Sequence, residues 1–247
     1  MRGVVHLVGA GPGDRGLITV RGLELLRRAD VVVYDSLANE ALLEEARPGA
    51  QLIDVGKRGG DHKMEQEDID RLLVRKAGEG LMVVRLKGGD PFLFGRGAEE
   101  AEALRKEGME VHVVPGVSSA IAAPETAGIP VTHRDISSVV TIVTGNEGRA
   151  KGAEAVDWEH LARSRGTIVM LMGMANLGRN MARLMASGLD PGTPVAVVHR
   201  GASAGQRTVL GTIGDIEGVC QRERVSSPAV IVIGGVAAMR AVLGDLL

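Results

Sequence analysis

Residues Val83 to Gly97 read VVRLKGGDPFLFGRG, and the reading of that stretch decides the fold. Met82 to Leu86 is short, largely apolar and β-branched and is bounded by glycines, which predicts a buried strand. Two adjacent glycines, an acid, a proline and two aromatics follow, then Gly95-Arg96-Gly97 before a charged segment with helical periodicity. A strand that passes through a glycine-rich loop into a helix is the repeating unit of an α/β sheet. Gly88 and Gly89 carry no Cβ, so a ligand can approach the main chain closely. Pro91 restricts Asp90 to extended backbone, which places its carboxylate beyond the carboxyl end of the strand, where open α/β sheets bind ligands. The plainer alternative is a tight loop whose glycines only turn the chain.

Upstream the same grammar repeats. Val4 to Val8 predicts a strand that ends in Gly9-Ala10-Gly11-Pro12-Gly13-Asp14, followed by a helix over Thr19 to Arg28 and a second buried strand over Val31 to Asp35. Glycines after a first strand and an acid ending the second invite a dinucleotide reading. The spacing fails, because the third glycine should fall where Asp14 stands and Pro12 removes an amide donor. An acid at the helix entrance also repels a pyrophosphate. Strands over Gln51 to Val55 and Glu110 to Val114, with helices over Glu65 to Ala77 and Ala98 to Lys106, complete a largely parallel set. Ile69, Leu72, Leu73 and Ala77 form one apolar helical face. Acids in the first turns and bases in the last match the helix dipole, Gly78 and Gly108 offer C-caps, and the charge runs, Glu99-Glu100 included, read as solvated faces.

Downstream, Pro115 to Ala120 imitates a nucleophile elbow built on Ser118, for which His133 or His199 could act as base; N-cap and ligand hydroxyls at Ser118 and Ser119 are the simpler reading. Strands are predicted over Val139 to Val143, Thr167 to Gly173, Val195 to His199, Gln206 to Ile213 and Ala229 to Ile233, with a helix near Asn176 to Met185. Gly145 to Val156, with three glycines, is expected to be a mobile loop. Thr208, Leu210 and Thr212 alternate with Val209 and Ile213, a sheet pattern that makes the second half mixed and partly antiparallel. The expected architecture is two α/β domains, 1–115 with a largely parallel sheet and 116–247 with a mixed one.

Composition narrows the function. One Trp, one Tyr and two Phe in 247 residues supply no aromatic platform for bases, and a formal net charge of −2 lacks a nucleic-acid binder's basic balance. Cys220 stands alone, which rules out an intrachain disulfide and a thiolate metal cluster. The six histidines show no metal-binding spacing, so no metal is expected. No apolar run approaches the roughly twenty residues that span a bilayer, and no basic and apolar leader precedes the first strand; a cytoplasmic protein is expected.

GAGPGD at Gly9 to Asp14, VVYD at Val32 to Asp35, GKR at Gly56 to Arg58, RLKGGDPFLFGRG at Arg85 to Gly97 and VVPGVSSA at Val113 to Ala120 form one ordered set of blocks. AGIPVTHRD at Ala127 to Asp135, LMG at Leu171 to Gly173 and SPAVIVIG at Ser227 to Gly234 continue it. Together they resemble the tetrapyrrole methyltransferases, across essentially the whole chain, and most of all the branch that acts on uroporphyrinogen III.

The resemblance implies a homodimer of two-domain chains with S-adenosyl-L-methionine in the cleft between the domains and S-adenosyl-L-homocysteine as product. It implies two methyl transfers to the small-molecule tetrapyrrole uroporphyrinogen III, giving precorrin-2. It places cofactor contacts on Pro12, Gly88, Gly89, Asp90, Leu93, Ser118, Ser119, Met172 and Gly201, and acid–base roles on Asp35 and Lys57. Asp35 could equally be a strand-end turn former, and Lys57 a carboxylate anchor. The substrate carries many carboxylates while the chain is slightly acidic, so its cations must be concentrated locally. Arg58, Lys63, Lys87, Arg96 and Arg134, in or beside the motif loops, are the expected substrate-binding groups, with arginine forks suited to bidentate carboxylate recognition. Ser118-Ser119, Leu171 and Gly201-Ala202 depart from the more usual family residues at positions that pack the cofactor. Three alternatives stay open: a methylase of a later corrinoid precursor, a nucleotide-binding oxidoreductase and a non-catalytic nucleotide sensor.

Overall fold

β-Branched runs form strands, and amphipathic segments between them form helices, in the computed structural model, which describes residues 2–56, 64–147 and 156–247. The chain divides into two units, Met1–Ser118 and Ser119–Leu247. In the first, β1 (Val4–Gly9), α1 (Val20–Leu26), β2 (Val31–Tyr34), β3 (Gln51–Asp54), α2 (Gln66–Gly78), β4 (Met82–Lys87), α3 (Gly97–Lys106) and β5 (Glu110–Val114) follow in chain order. The described strands pair in the order β3-β2-β4-β1-β5, all parallel.

Both faces of this sheet are covered, which is why its strands read as near-continuous apolar runs. Val5, Leu7, Val31, Val33 and Val83 pack with Ile69, Leu72, Leu73 and Ala77 of α2 and Leu104 of α3. Val8, Val32, Val84 and Leu86 pack on the opposite face with Leu26 of α1 and Leu42. Each fully buried Leu contributes about 1.5–3 kcal/mol through removal from water. The crossover from β1 runs to β2 and that from β4 runs to β5, in opposite directions across the sheet. The adjoining carboxyl ends of β1 and β4 therefore form the topological switch point. Gly78, expected as a C-cap, is still helical, and the left-handed residue after α2 is Gly80 (φ 84°), whereas Gly108 (φ 68°) takes that role after α3.

The second unit contains α4 (Ser119–Thr126), β6 (Val140–Thr144), α5 (Trp158–Arg163), β7 (Thr167–Leu171) and α6 (Leu177–Ala186). These are followed by β8 (Pro194–His199), β9 (Arg207–Thr212), α7 (Ile216–Arg222), β10 (Ala229–Ile233) and α8 (Arg240–Leu243). Its strands pair in the order β6-β7-β10-β8-β9; β6 and β7 are parallel, while β10 runs antiparallel to β7 and β8, and β9 antiparallel to β8. The expected mixed sheet is what forms, and β6, β7 and β8 end on the same edge of it. The expected mobile loop over Gly145 to Val156 falls mostly on residues 148–155, outside the described residues. Among the described residues no helix is long and apolar enough to cross a membrane.

Candidate active site

At the switch point the main chain of the first unit folds onto itself through glycines. Gly11 and Gly89, both left-handed (φ 72° and 68°), exchange two backbone hydrogen bonds of 3.2 and 3.0 Å. A Cβ on Gly9 would stand 2.5 Å from the Cα of Gly116 and 2.7 Å from the carbonyl oxygen of Gly89, so three strand ends meet with no side chain between them. Asp90 secures the junction. Its Oδ1 accepts from the amides of Phe92 (2.8 Å) and Leu93 (3.0 Å), and its Oδ2 accepts from the amide of Gly116 (3.1 Å). Pro12, Gly88, Gly89, Asp90, Leu93 and Ser118 are all half-buried, neither sealed in the core nor fully open.

The acid of the first loop is likewise committed to main chain. Asp14 Oδ1 accepts from the amide of Gly16 at 2.7 Å and caps a short 3-10 helix over Arg15–Leu17. Helix α1 begins only at Val20, where the Thr19 hydroxyl accepts from the amide of Gly22 at 3.1 Å. The first helix amino terminus is thus already capped and set apart from the glycine loop. A dinucleotide pyrophosphate would find acids and no open helix end.

Asp35 lies at the carboxyl end of β2, beside β4. Its Oδ1 accepts from the amide of Leu37 at 3.1 Å, and its Oδ2 stands 3.7 Å from Nη2 of Arg85. Behind it is a buried ionic cluster that corrects two expectations. Lys87 is not a surface cation for substrate: it is 3% exposed, and its Nζ donates to Oε1 of Glu100 at 2.9 Å. Burial, and then the Arg85 charge, lower the Lys87 pKa below the usual lysine range, against the pull of Glu100. Glu100 itself is not on a solvated helix face but is wholly buried, because it shares the inward side of α3 with Gly97 and Leu104. A charge buried this way persists only with partners that satisfy it.

Of the other predicted cations, Arg96 and Arg134 are described, and both are exposed. Arg96, left-handed at φ 59°, precedes α3 and is exposed, with its Nε donating to Oε2 of Glu99 at 2.9 Å. That contact holds the Glu99 carboxyl below the usual glutamate range. Arg134 is exposed in a turn closed by backbone bonds between His133 and Ser137. Lys57, Arg58 and Lys63 lie outside the described residues.

The second unit brings Met172 and Gly201 to one edge of its sheet, on either side of β10, where Val230 pairs with Leu171 and Ala229 with His199. Met172 is left-handed (φ 58°) and about half exposed. A non-glycine residue held there costs about 1–2 kcal/mol, strain of the kind that concentrates at functional sites. Gly201 lies between left-handed Arg200 (φ 47°) and Ala202 (φ 59°), and a Cβ on it would collide with Ala123 of α4. Its lack of a side chain is thus required by packing, which leaves its backbone for any ligand. Ser119 is half-buried and opens α4. Arg200, Ala202 and Phe94 (φ 53°) are also left-handed at these loops, a conformation that composition does not mark at a non-glycine residue.

Comparison with known proteins bears on this arrangement. A family model, the Tetrapyrrole (Corrin/Porphyrin) Methylases, matches residues 4–217. Over 243 residues the chain is 50% identical to the S-adenosyl-L-methionine-dependent uroporphyrinogen III methyltransferase of Methanosarcina barkeri, covering 98% of this chain and 95% of that one. The solved structure of uroporphyrin-III C-methyltransferase from Thermus thermophilus complexed with S-adenyl homocysteine matches with a TM-score of 0.81 at 38% identity, over 96% of this chain and 99% of that one. A cobalt precorrin-4 methyltransferase matches with a TM-score of 0.84 at 32% identity, over 95% of each chain.

Proposed function

Because the chain belongs to the tetrapyrrole methylases, we propose that it is an S-adenosylmethionine-dependent C-methyltransferase that adds two methyl groups to uroporphyrinogen III and yields precorrin-2. One observation carries the choice of substrate: half of all residues are identical with an enzyme of that activity over nearly the full length of both chains. The fold alone would not choose, since the cobalt precorrin-4 enzyme matches it at least as well; the sequence does, at 50% against 32% identity.

The glycine junction fits the cofactor. Half-buried backbone at Gly88 and Gly89, with carboxylates committed at Asp14 and Asp90, suits a phosphate-free cationic nucleoside and not a dinucleotide. Each carboxylate has about four lone-pair sites, so Asp90 retains one after its three amide contacts. The proposed cofactor contacts are Pro12, Gly88, Gly89, Asp90, Leu93 and Ser118, together with Ser119, Met172 and the backbone of Gly201 from the second unit.

The bound cofactor supplies an activated methyl group on a sulfonium. The positive charge disappears in the transition state, so the protein gains chiefly by orientation, worth about 7–11 kcal/mol in favourable cases. Methylation of a pyrrole carbon also requires the macrocycle to release a proton. Asp35, partly open at a strand end, takes it, and Lys57 acts as proton donor or as an anchor for a substrate carboxylate. Arg58, Lys63, Arg96 and Arg134 bind the remaining carboxylates. Their neutralisation is expected to raise KM for the tetrapyrrole and leave cofactor affinity unchanged; an unchanged KM for Arg134→Gln removes that residue from the site. The further reading as a cytoplasmic homodimer rests on the family resemblance.

The test is an anaerobic reaction with methyl-labelled S-adenosylmethionine, offered uroporphyrinogen III or a later corrinoid precursor. Two labels per uroporphyrinogen ring and none on the later compound are expected. Label on the later compound alone would transfer the chain to the neighbouring branch.

A further inference from the structure

The face of the first sheet that packs on α2 and α3 changes character along its strands. On β2 it reads Val31, Val33 and then Asp35; on β4 it reads Val83, Arg85 and then Lys87. The register pairs Val33 with Arg85, so these side chains are neighbours on one surface. An apolar core at the amino end thus passes into an ionic one at the carboxyl end, and that cluster reaches the surface at Asp35.

Its connections are specific. Arg85 is 4% exposed. Its Nε donates to Oε1 of the wholly buried Glu100 at 3.2 Å, and its Nη1 donates to the carbonyls of Leu86 (3.3 Å) and Val33 (3.4 Å). Its Nη2 is left to face Asp35, 3.7 Å from Oδ2. The same Oε1 of Glu100 accepts from Lys87 at 2.9 Å and from the Gln66 amide at 3.2 Å. Oε2 of Glu100 has no partner among the described residues. Stability alone accounts poorly for such a cluster, because a buried ion pair replaced by well-packed apolar side chains is often no less stable. The cluster does achieve a guanidinium fixed on three sides, with its fourth edge turned to the carboxylate proposed as base.

We propose that Arg85 is a positioning residue for Asp35, with Glu100 the buried clamp that holds Arg85 in place. The inference rests on the reading of Asp35 as the proton acceptor. Arg85 acts through Asp35 and touches neither cofactor nor macrocycle.

Turnover with uroporphyrinogen III is measured for wild type, Asp35→Asn, Arg85→Lys, Glu100→Gln and the double variant Asp35→Asn/Arg85→Lys, with S-adenosylhomocysteine affinity and circular dichroism as controls. Lysine keeps the charge against Glu100 and loses the fork. Arg85→Lys is expected to stay folded, to bind S-adenosylhomocysteine as wild type does and to keep KM within about twofold, while kcat falls by about 10- to 100-fold, the cost of a displaced reacting group. Glu100→Gln should fall in the same direction, and the double variant should be no slower than Asp35→Asn alone. Full turnover by Asp35→Asn overturns the base reading. An impaired Asp35→Asn beside a fully active Arg85→Lys overturns the positioning role alone, as does a double variant in which the two losses multiply. Should Arg85→Lys not fold, Glu100→Gln carries the same comparison; unfolding of both would assign the cluster to stability and overturn the proposal.

Discussion

The first unit buries His6, Arg85, Lys87 and Glu100, all titratable, whereas the second buries Ser137, Thr167 and Asn180, all neutral. The neutral set is satisfied locally: Asn180 donates to the carbonyl of Gly145 at 2.9 Å, Thr167 to the Ser137 hydroxyl at 3.0 Å, and Ser137 to the carbonyl of Val139 at 2.9 Å. The strand ends differ as well. In the first unit β1 and β4 turn on left-handed glycines, and in the second β7 and β8 turn on Met172, Arg200 and Ala202. Glycine appears where backbone must meet backbone, whereas Met172 and Arg200 keep partly or fully exposed side chains at their turns and Ala202 is buried. The first unit holds charge beside its glycine junction, and the second holds left-handed turns at one edge of its sheet.

Four substitutions would break or sharpen that contrast. The largest effect is expected for Gly9→Ala, whose new Cβ meets the backbone of Gly116 and Gly89 and not a flexible side chain. Overpacking of this kind costs about 3 kcal/mol, read as a lower urea midpoint; an unchanged midpoint would mean the junction is looser than described. Asp90→Asn comes next. An amide has one acceptor oxygen, and its NH2 group would face an N–H it cannot satisfy, so a loss of about 1–3 kcal/mol is expected together with weaker S-adenosylhomocysteine binding.

A smaller effect concerns pH. His6 stacks on His112 with ring centroids 5.3 Å apart. Burial first, and then the charges of His112, Arg21 and Arg28 against that of Glu110, lower its pKa below 6.5. The unfolded chain therefore binds the proton more readily than the native one. Stability should fall as pH drops from about 6.5 towards the depressed native value and level off below it. Thermal melts of wild type and His6→Phe should diverge in that window; parallel curves would remove His6 as their cause. The smallest change is that of Met172→Gly, which relieves left-handed strain and should alter stability by no more than about 1 kcal/mol, in the stabilising direction, while it raises KM for the cofactor. A loss of stability would show that the Met172 side chain packs rather than projects.

Much of the fold was legible because the code is local. Short β-branched runs and glycine punctuation mark strands such as Glu110–Val114 and Ala229–Ile233 to the residue. Helices α5 and α7 were not read, since six or seven residues carry barely two turns of pattern, although the Ile216–Cys220 spacing of α7 did mark its buried side. The candidate site was legible as a set of motifs, and the glycine junction follows from them. The fate of its charges was not: whether Lys87 faces solvent or core depends on Glu100, thirteen positions on and on another element. Helical register was the missed signal, for Glu100 lies three residues after Gly97 and four before Leu104, both buried. Charge sign suggested an exposed face where spacing indicated the core.

The most direct test of the account is backbone hydrogen exchange of the protein with and without S-adenosylhomocysteine. Added protection is predicted at the amides of Gly11 and Gly13, of Gly88 to Asp90, Phe92 and Leu93, and of Gly116 to Ser119, the main chain of the glycine junction. Tight binding with no change in exchange at those amides would contradict the assignment of that junction as the cofactor site.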